Sequence, residues 1–377
     1  MSCHYHLLYL KSPPAAPTPQ RQKQHHQPQQ LLDLSSTASP PGSKGFYVPA
    51  LIIFGDSTVD VGMNNNLTSI VKSNFLPYGE NFLGGNHPTG RFCNGQLAVD
   101  AVATFLELPF PLAYFDPQAT GHNVVQGINF ASSASGYNDN TAKFWNVISL
   151  TKQLEFFKSY KAQLAEIVGS SKASNILSEA LYILSTGSND YANNYFYNLR
   201  LKAKLNIKDY TTFLVQSAAK FIEELYLSGV RKLAIVNVPP LGCLPFQRTV
   251  LGARKLDFKD CLPVANEAAA SFNQGLDTVV KSLREKYTDY GVVIVDCYTP
   301  LLDIYTNPAP YGIEVVKRGC CSTGRLETAI FCNRLEGPLS CKDPSKFMFW
   351  DSYHPTEVVY KVLADKFIQI VVDAKIL

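Results

Sequence analysis

The sequence predicts an α/β fold, with a parallel sheet covered by helices on both faces. Short apolar runs recur along the chain, and each closes in a polar turn containing glycine or proline. Between them lie stretches whose apolar residues repeat at helical spacing. A strand that is apolar at every position is buried on both faces, which is the condition of a strand inside a parallel sheet. No linker and no internal repeat interrupts the chain after residue 46, so residues 46–377 read as a single domain.

Residues 1–45 are of another kind. The stretch KSPPAAPTPQRQKQHHQPQQ is rich in proline and glutamine. It holds too few apolar side chains to offset the entropy of ordering it, so this segment is expected to be disordered. YHLLYL, residues 5–10, is too short and broken for a signal-peptide core, so this N-terminus gives no indication of secretion. The expected strands then follow in ALIIFGDS (50–57), GINFASSASG (127–136), LYILSTGSND (181–190), KLAIVNVPPLG (232–242) and GVVIVDCY (291–298). A helix is expected over 211–228, with Phe213, Leu214, Ala218, Phe221, Ile222 and Leu225 on its apolar face and Gly229 stopping it. The last helix carries Val358, Val359, Val362, Leu363, Phe367, Ile370 and Val371 on its stripe, with Pro355 in its first turn.

Composition excludes several functions. The 377 residues carry a formal charge of +3, spread without a basic block, so no nucleic-acid partner is indicated. No apolar run approaches the ~18 to 20 residues that a membrane-crossing helix needs. Six of the nine cysteines fall into two groups: Cys243 with Cys261, and Cys320, Cys321, Cys332 and Cys341 in a segment rich in glycine and proline. Zinc is the rival reading, but no C-x-x-C spacing and no nearby histidine supports it, so disulfides are expected, with their connectivity open. Cys93 and Cys297 are expected as free thiols, the latter as a small hydrophobe in an apolar run. Asn66-Leu67-Thr68 is a glycosylation sequon if the chain enters the secretory pathway.

The chemistry begins at Gly55-Asp56-Ser57. Glycine lets the backbone turn sharply as the first strand ends, which presents Ser57 at the carboxyl edge of the sheet, where open α/β folds bind ligands. Taken alone, this is a serine in a turn. A nucleophilic serine needs a base, and most of the seven histidines do not qualify. Four lie in the N-terminal segment, and His87 and His122 sit in loops. His354 in FWDSYHPTE precedes the final helix, and Asp351 three residues earlier can reach its Nδ1 in a tight turn, leaving Nε2 for the Ser57 proton. Attack on an ester also needs donors for the developing oxyanion. The Ser57 N–H, an N–H in the turn after INFAS and the Asn189 side chain are candidates. Asp56 reads as a turn-stabilising carboxylate, Asn64 to Asn66 as builders of the following loop, and Asp190 as a support for Asn189. Whether GRFCNG, residues 90–95, lines the site is open.

FGDS (54–57), GINFASSASGYND (127–139), STGSND (185–190) and DSYHP (351–355) resemble, in order, the four blocks of the GDSL esterase/lipase family, also called SGNH hydrolases. NGQLAVD, VPPLGCLP and RGCCSTGRLET resemble its plant branch, in particular the subgroup of anther-specific proline-rich-protein-like enzymes, over roughly residues 48–370. The resemblance implies a flavodoxin-like three-layer α/β/α sandwich with a mainly parallel five-stranded sheet. It implies Ser57 as nucleophile, His354 as base and Asp351 as third triad member, an oxyanion hole of Ser57, Ala134 and Asn189, and no cofactor or metal. The substrate it implies is a small-molecule acyl ester or lipid, and it implies secretion. Ala134 departs from the family's usual glycine; a positive φ there would cost roughly 1 to 3 kcal/mol. An acyltransferase with the same triad, and a silent binding protein of the same fold, are the alternatives. An α/β-hydrolase is excluded because no G-x-S-x-G occurs.

Overall fold

The computed structural model describes residues 47–255, 260–333 and 340–377. The segment 1–45, expected to be disordered, lies outside the described residues. Strands β1 (Leu51–Gly55), β2 (Gly127–Asn129), β3 (Leu181–Ser185), β4 (Lys232–Val236) and β5 (Gly291–Val295) each arise from one of the five apolar runs. They form one sheet in the order β2-β1-β3-β4-β5, and every pairing is parallel. Leu51 stands opposite both Gly127 and Leu181, and Gly55 opposite Ser185, so the carboxyl ends of β1 and β3 finish level. This is the flavodoxin-like strand order, wound outwards in both directions from β1.

The helices are α1 (Ala98–Phe105), α2 (Asp139–Trp145), α3 (Leu150–Val168), α4 (Ser170–Glu179), α5 (Leu199–Lys204), α6 (Ile207–Leu227), α7 (Pro245–Lys255), α8 (Pro263–Lys286), α9 (Tyr298–Thr306) and α10 (Glu357–Asp373). Because strand side chains alternate, adjacent residues of one strand belong to different cores. Ile52, Phe54, Tyr182, Leu184 and Leu233 pack with Phe157 of α3, Leu214 of α6 and Phe272 of α8. Leu51, Ile53, Leu181, Ile183 and Val293 pack with Val99 and Val102 of α1 and with Phe367 and Val371 of α10. Two cores on opposite faces of one sheet make the three layers, and burying each such side chain contributes about 1.5 to 3 kcal/mol.

Two helices differ in detail from expectation. In α6 the buried face is Tyr210, Leu214, Ala218, Phe221, Ile222 and Leu225. Phe213 is 42% exposed, since one residue's rotation takes it off the stripe, and it stacks on Tyr210 at 6.1 Å between ring centroids. The final helix starts at Glu357, so Pro355 precedes it rather than occupying its first turn. Thr356 stays extended because its N–H donates to Met348 O at 3.1 Å and its hydroxyl to Phe347 O at 2.7 Å.

A second, two-stranded parallel sheet, β6 (Val315–Gly319) with β7 (Phe347–Phe349), has no counterpart in the sequence reading. VVKRG is half polar and FMF is three residues long, so neither gives a strand signal. Disulfides surround it: Cys320 pairs with Cys341 and Cys321 with Cys332, while Cys243–Cys261 joins the segment before α7 to the segment before α8. Cys93 and Cys297 are free and buried.

Gly55 is where the sheet makes its closest demand on the sequence. Its φ is +142°, and a Cβ there would stand 2.1 Å from the carbonyl oxygen of Ser185. Gly55→Ala is therefore expected to destabilise the protein by about 3 kcal/mol or more, read as a lower midpoint in chemical denaturation. An unchanged midpoint would contradict the packing described.

Candidate active site

The turn after β1 is held from both sides before it reaches Ser57. Gln153 of α3 accepts from Gly55 N–H and donates to Gly55 O, both at 2.9 Å. Asp56 N–H donates to Ser185 O at 2.9 Å, which locks the turn to the end of β3. The Asp56 carboxylate accepts from the N–H and hydroxyl of Thr58, at 3.1 and 2.8 Å, as a turn-stabilising residue does. Burial pushes its carboxyl up to about 6, against the opposing pull of the Thr58 hydrogen bonds and of His354. Asp60, also raised by burial, accepts from the N–H groups of Gly62 and Met63 and from the N–H and hydroxyl of Ser133, at 2.7 to 2.9 Å. The Ser57 loop and the loop after β2 are thereby joined.

Ser57 Oγ lies 2.7 Å from His354 Nε2, and His354 Nδ1 lies 2.8 Å from both carboxylate oxygens of Asp351. Asp351 Oδ1 also accepts the backbone N–H groups of Tyr353 and His354, each at 2.8 Å. Burial raises the Asp351 pKa, yet the charge of His354 and the surrounding donors outweigh it and hold the carboxyl below its ordinary value. The turn bearing both residues follows β7 and is braced by the disulfide-linked segment. Cys320 N–H donates to Phe349 O and Cys321 N–H to Trp350 O, at 3.0 and 2.7 Å, while Trp350 N–H donates to His354 O at 2.7 Å. The tilted ring of Phe92 packs against His354 with 4.9 Å between centroids. GRFCNG therefore has two roles: Phe92 lines the site, and Arg91 forms a buried two-bond ion pair with Asp100 of α1 at 2.7 and 2.8 Å.

The candidate oxyanion donors converge on the same crevice. β1 lies between β2 and β3, the point at which the chain's winding reverses and where ligands enter such sheets. Ala134, in the loop after β2, has φ +67°, the left-handed conformation that favours glycine. Asn189, after β3, donates from Nδ2 to Ser135 O at 2.9 Å and accepts at Oδ1 from Asn193 Nδ2 at 2.6 Å. A donor on one side and an acceptor on the other fix which way the amide faces. Asp190 does not hold Asn189 as the sequence suggested. Its carboxylate instead accepts Tyr137 N–H, Asn138 N–H and the Thr141 hydroxyl, at 2.6 to 3.2 Å, and burial raises it to about 7 despite those donors. Geometry explains the difference: Gly136 has no Cβ, and the Asp190 carboxylate fills that space, where a Cβ would stand 2.4 Å from its Oδ1.

Ser57, Ala134, Asn189 and His354 line a cavity of about 810 Å³ whose other walls are mostly apolar, including Ile70, Phe144, Phe246, Leu326 and Phe331. Sequence reasoning left the place of Phe92 open with the rest of GRFCNG, and missed Asn193 as well as Tyr78 and Thr328, whose hydroxyls donate to Asp351 Oδ2 at 2.7 and 3.0 Å. Asn193 follows Asn189 by four residues and was open to a helical-spacing argument; the others reach the site from distant loops. Among the described residues no cluster of His, Cys, Asp and Glu could hold a metal ion, and no helix is long and apolar enough to cross a membrane.

A serine, a histidine and a carboxylate bonded in series at the carboxyl edge of a parallel sheet are the arrangement used by serine-dependent hydrolases. The GDSL-like Lipase/Acylhydrolase profile matches residues 51–367. The Arabidopsis thaliana protein GDSL esterase/lipase EXL3 is 44% identical over 317 residues, covering 84% of this chain and 85% of that protein. GDSL esterase/lipase At3g53100, also from Arabidopsis thaliana, is 42% identical over 323 residues, 85% of this chain and 91% of its own length. GDSL esterase/lipase APG from the same plant is 41% identical over 323 residues, 84% and 89%. The chain belongs to the GDSL lipase/acylhydrolase family and is a carboxylic ester hydrolase.

Ala134 yields a prediction of its own. Ala134→Gly keeps the N–H and relieves the left-handed strain, so it should raise stability by about 1 kcal/mol in chemical denaturation. A lower stability would show that the alanine methyl packs productively.

Proposed function

We propose that the protein hydrolyses acyl esters, including lipid esters, through an acyl-enzyme intermediate formed on Ser57. The observation that carries this is the unbroken series Ser57–His354–Asp351, with every link between 2.7 and 2.8 Å. His354 Nε2 takes the Ser57 proton as Oγ attacks the ester carbonyl. Asp351 keeps Nδ1 protonated and offsets the imidazolium charge. The oxyanion is received by the N–H groups of Ser57 and Ala134 and by the Asn189 amide, whose carbonyl is engaged by Asn193. His354 then returns the proton to the leaving alcohol, and water, activated in the same way, frees the acid. The cavity supports an acyl substrate, since most of its wall surface is apolar.

We further propose that the protein works in the secretory pathway or outside the cell. Three disulfides suit an oxidising compartment, and Asn66 of the sequon is exposed.

The test is hydrolysis of p-nitrophenyl esters from acetate to palmitate by the protein and by its Ser57→Ala variant. Turnover should fall by about 10⁴-fold or more in the variant on every ester. Undiminished hydrolysis by a folded Ser57→Ala protein would refute the assignment.

A further inference from the structure

Asp351 is a fully buried carboxylate, and its two oxygens are satisfied from different parts of the chain. The backbone of its own turn supplies Oδ1. Oδ2, besides its contact with His354 Nδ1, accepts two side-chain hydroxyls, Tyr78 Oη at 2.7 Å and Thr328 Oγ1 at 3.0 Å. Tyr78 Oη also accepts Ala329 N–H at 2.9 Å, so its single proton is directed to Asp351. Tyr78 is itself fully buried, and burial followed by the Asp351 charge raises its pKa well above the ordinary value, which keeps it a donor. Thr328 and Ala329 lie between Cys321 and Cys332, so a disulfide closes the loop that delivers them.

His354 Nδ1 stands midway between the two carboxylate oxygens, 2.8 Å from each. A carboxylate keeps that symmetric pose only when both outer flanks are held, because an oxygen without donors would rotate towards its nearest partner. We propose that Tyr78 and Thr328 are positioning residues for the triad: they hold Asp351 square to His354 and share its negative charge. The inference rests on the reading of Ser57, His354 and Asp351 as the triad. Removing one hydroxyl leaves more charge on Asp351, which strengthens its attraction for a protonated imidazole relative to the wild type. The other titratable groups coupled to this pair are Asp56 in the turn after β1, Cys93 before α1, Tyr353 beside His354 and Tyr360 on α10. Burial keeps the thiol and these phenols neutral, and Asp56 is common to every variant, so differences between variants report on Asp351.

The experiment is the pH profile of p-nitrophenyl ester hydrolysis by the full chain and by Thr328→Val, Thr328→Ser and Tyr78→Phe. Thr328→Val should lose kcat by about tenfold with KM little changed, as expected for a lost hydrogen bond to a charged group. Its acid limb in kcat/KM should move up by about half a pH unit. Thr328→Ser, which keeps the hydroxyl, should restore both. Tyr78→Phe should shift the limb the same way with a larger loss of kcat, because Ala329 N–H also loses its acceptor. Wild-type kcat and an unmoved limb in Thr328→Val would overturn the proposal, as would equal losses in the Val and Ser variants with no shift. A fully active Ser57→Ala protein would instead overturn the triad reading beneath it, so the two failures are distinguishable.

Discussion

The 2.7 Å contact between Ser57 Oγ and His354 Nε2 joins residues 297 positions apart, and the remainder of the architecture is arranged around keeping it. Neither partner sits on a regular element. Ser57 is in the turn after β1, and its position is set by Gly55 against Ser185, by Gln153 on both backbone groups of Gly55, and by the hydrogen bond from Asp56 N–H to β3. His354 is in the turn before α10, fixed by Asp351, by β7 and by a disulfide-linked segment that bonds to the backbone of Phe349 and Trp350. A hydrogen bond between two loops can be maintained only if each loop is over-determined by its own scaffold.

The layer beneath the site is unusually acidic for a buried region. Asp56, Asp60 and Asp190 are each fully buried with no salt bridge among the described residues, and each accepts backbone N–H groups and hydroxyls near the site, Asp56 from Thr58 alone. Burial raises all three above the ordinary carboxylate value. For Asp190 the folded-state value of about 7 lies above the unfolded 3.8, so its contribution to stability is greatest below 3.8 and declines as pH rises to about 7. Asp60 and Asp190 join separate segments of the chain, while Asp56 braces its own turn through Thr58. Asp351 differs because a histidine and its donors offset the cost of burial, which suits a group that must stay ionised.

The sheet was legible in the sequence because each of its strands is an uninterrupted apolar run ending in a turn, a pattern that needs no tertiary information. The candidates Ser57, Ala134, Asn189, Asp351 and His354 were legible because each stands at a strand or helix end, within a block that resembles a known family. What escaped was whatever depends on contacts between distant loops. Tyr78 lies 273 residues before Asp351, and Thr328 lies in a segment whose local sequence shows neither strand nor helix periodicity. The small sheet escaped because polar residues in β6 and the brevity of β7 hide its period, and Asp190 escaped because Gly136, rather than its neighbour Asn189, decides where the carboxylate goes. Phe213 was misplaced by a single residue, since periodicity alone cannot mark the edge of a helical stripe.

Hydrolysis by the proposed route requires Ser57 to be a nucleophile that His354 activates. The most direct measurement is covalent labelling with a serine-directed fluorophosphonate, located by mass spectrometry of the digested protein, for the wild type and for His354→Ala. One label is expected, on the peptide containing Ser57, formed much more slowly in the variant. A label on another serine, or equal labelling of Ser57 without His354, would contradict that requirement.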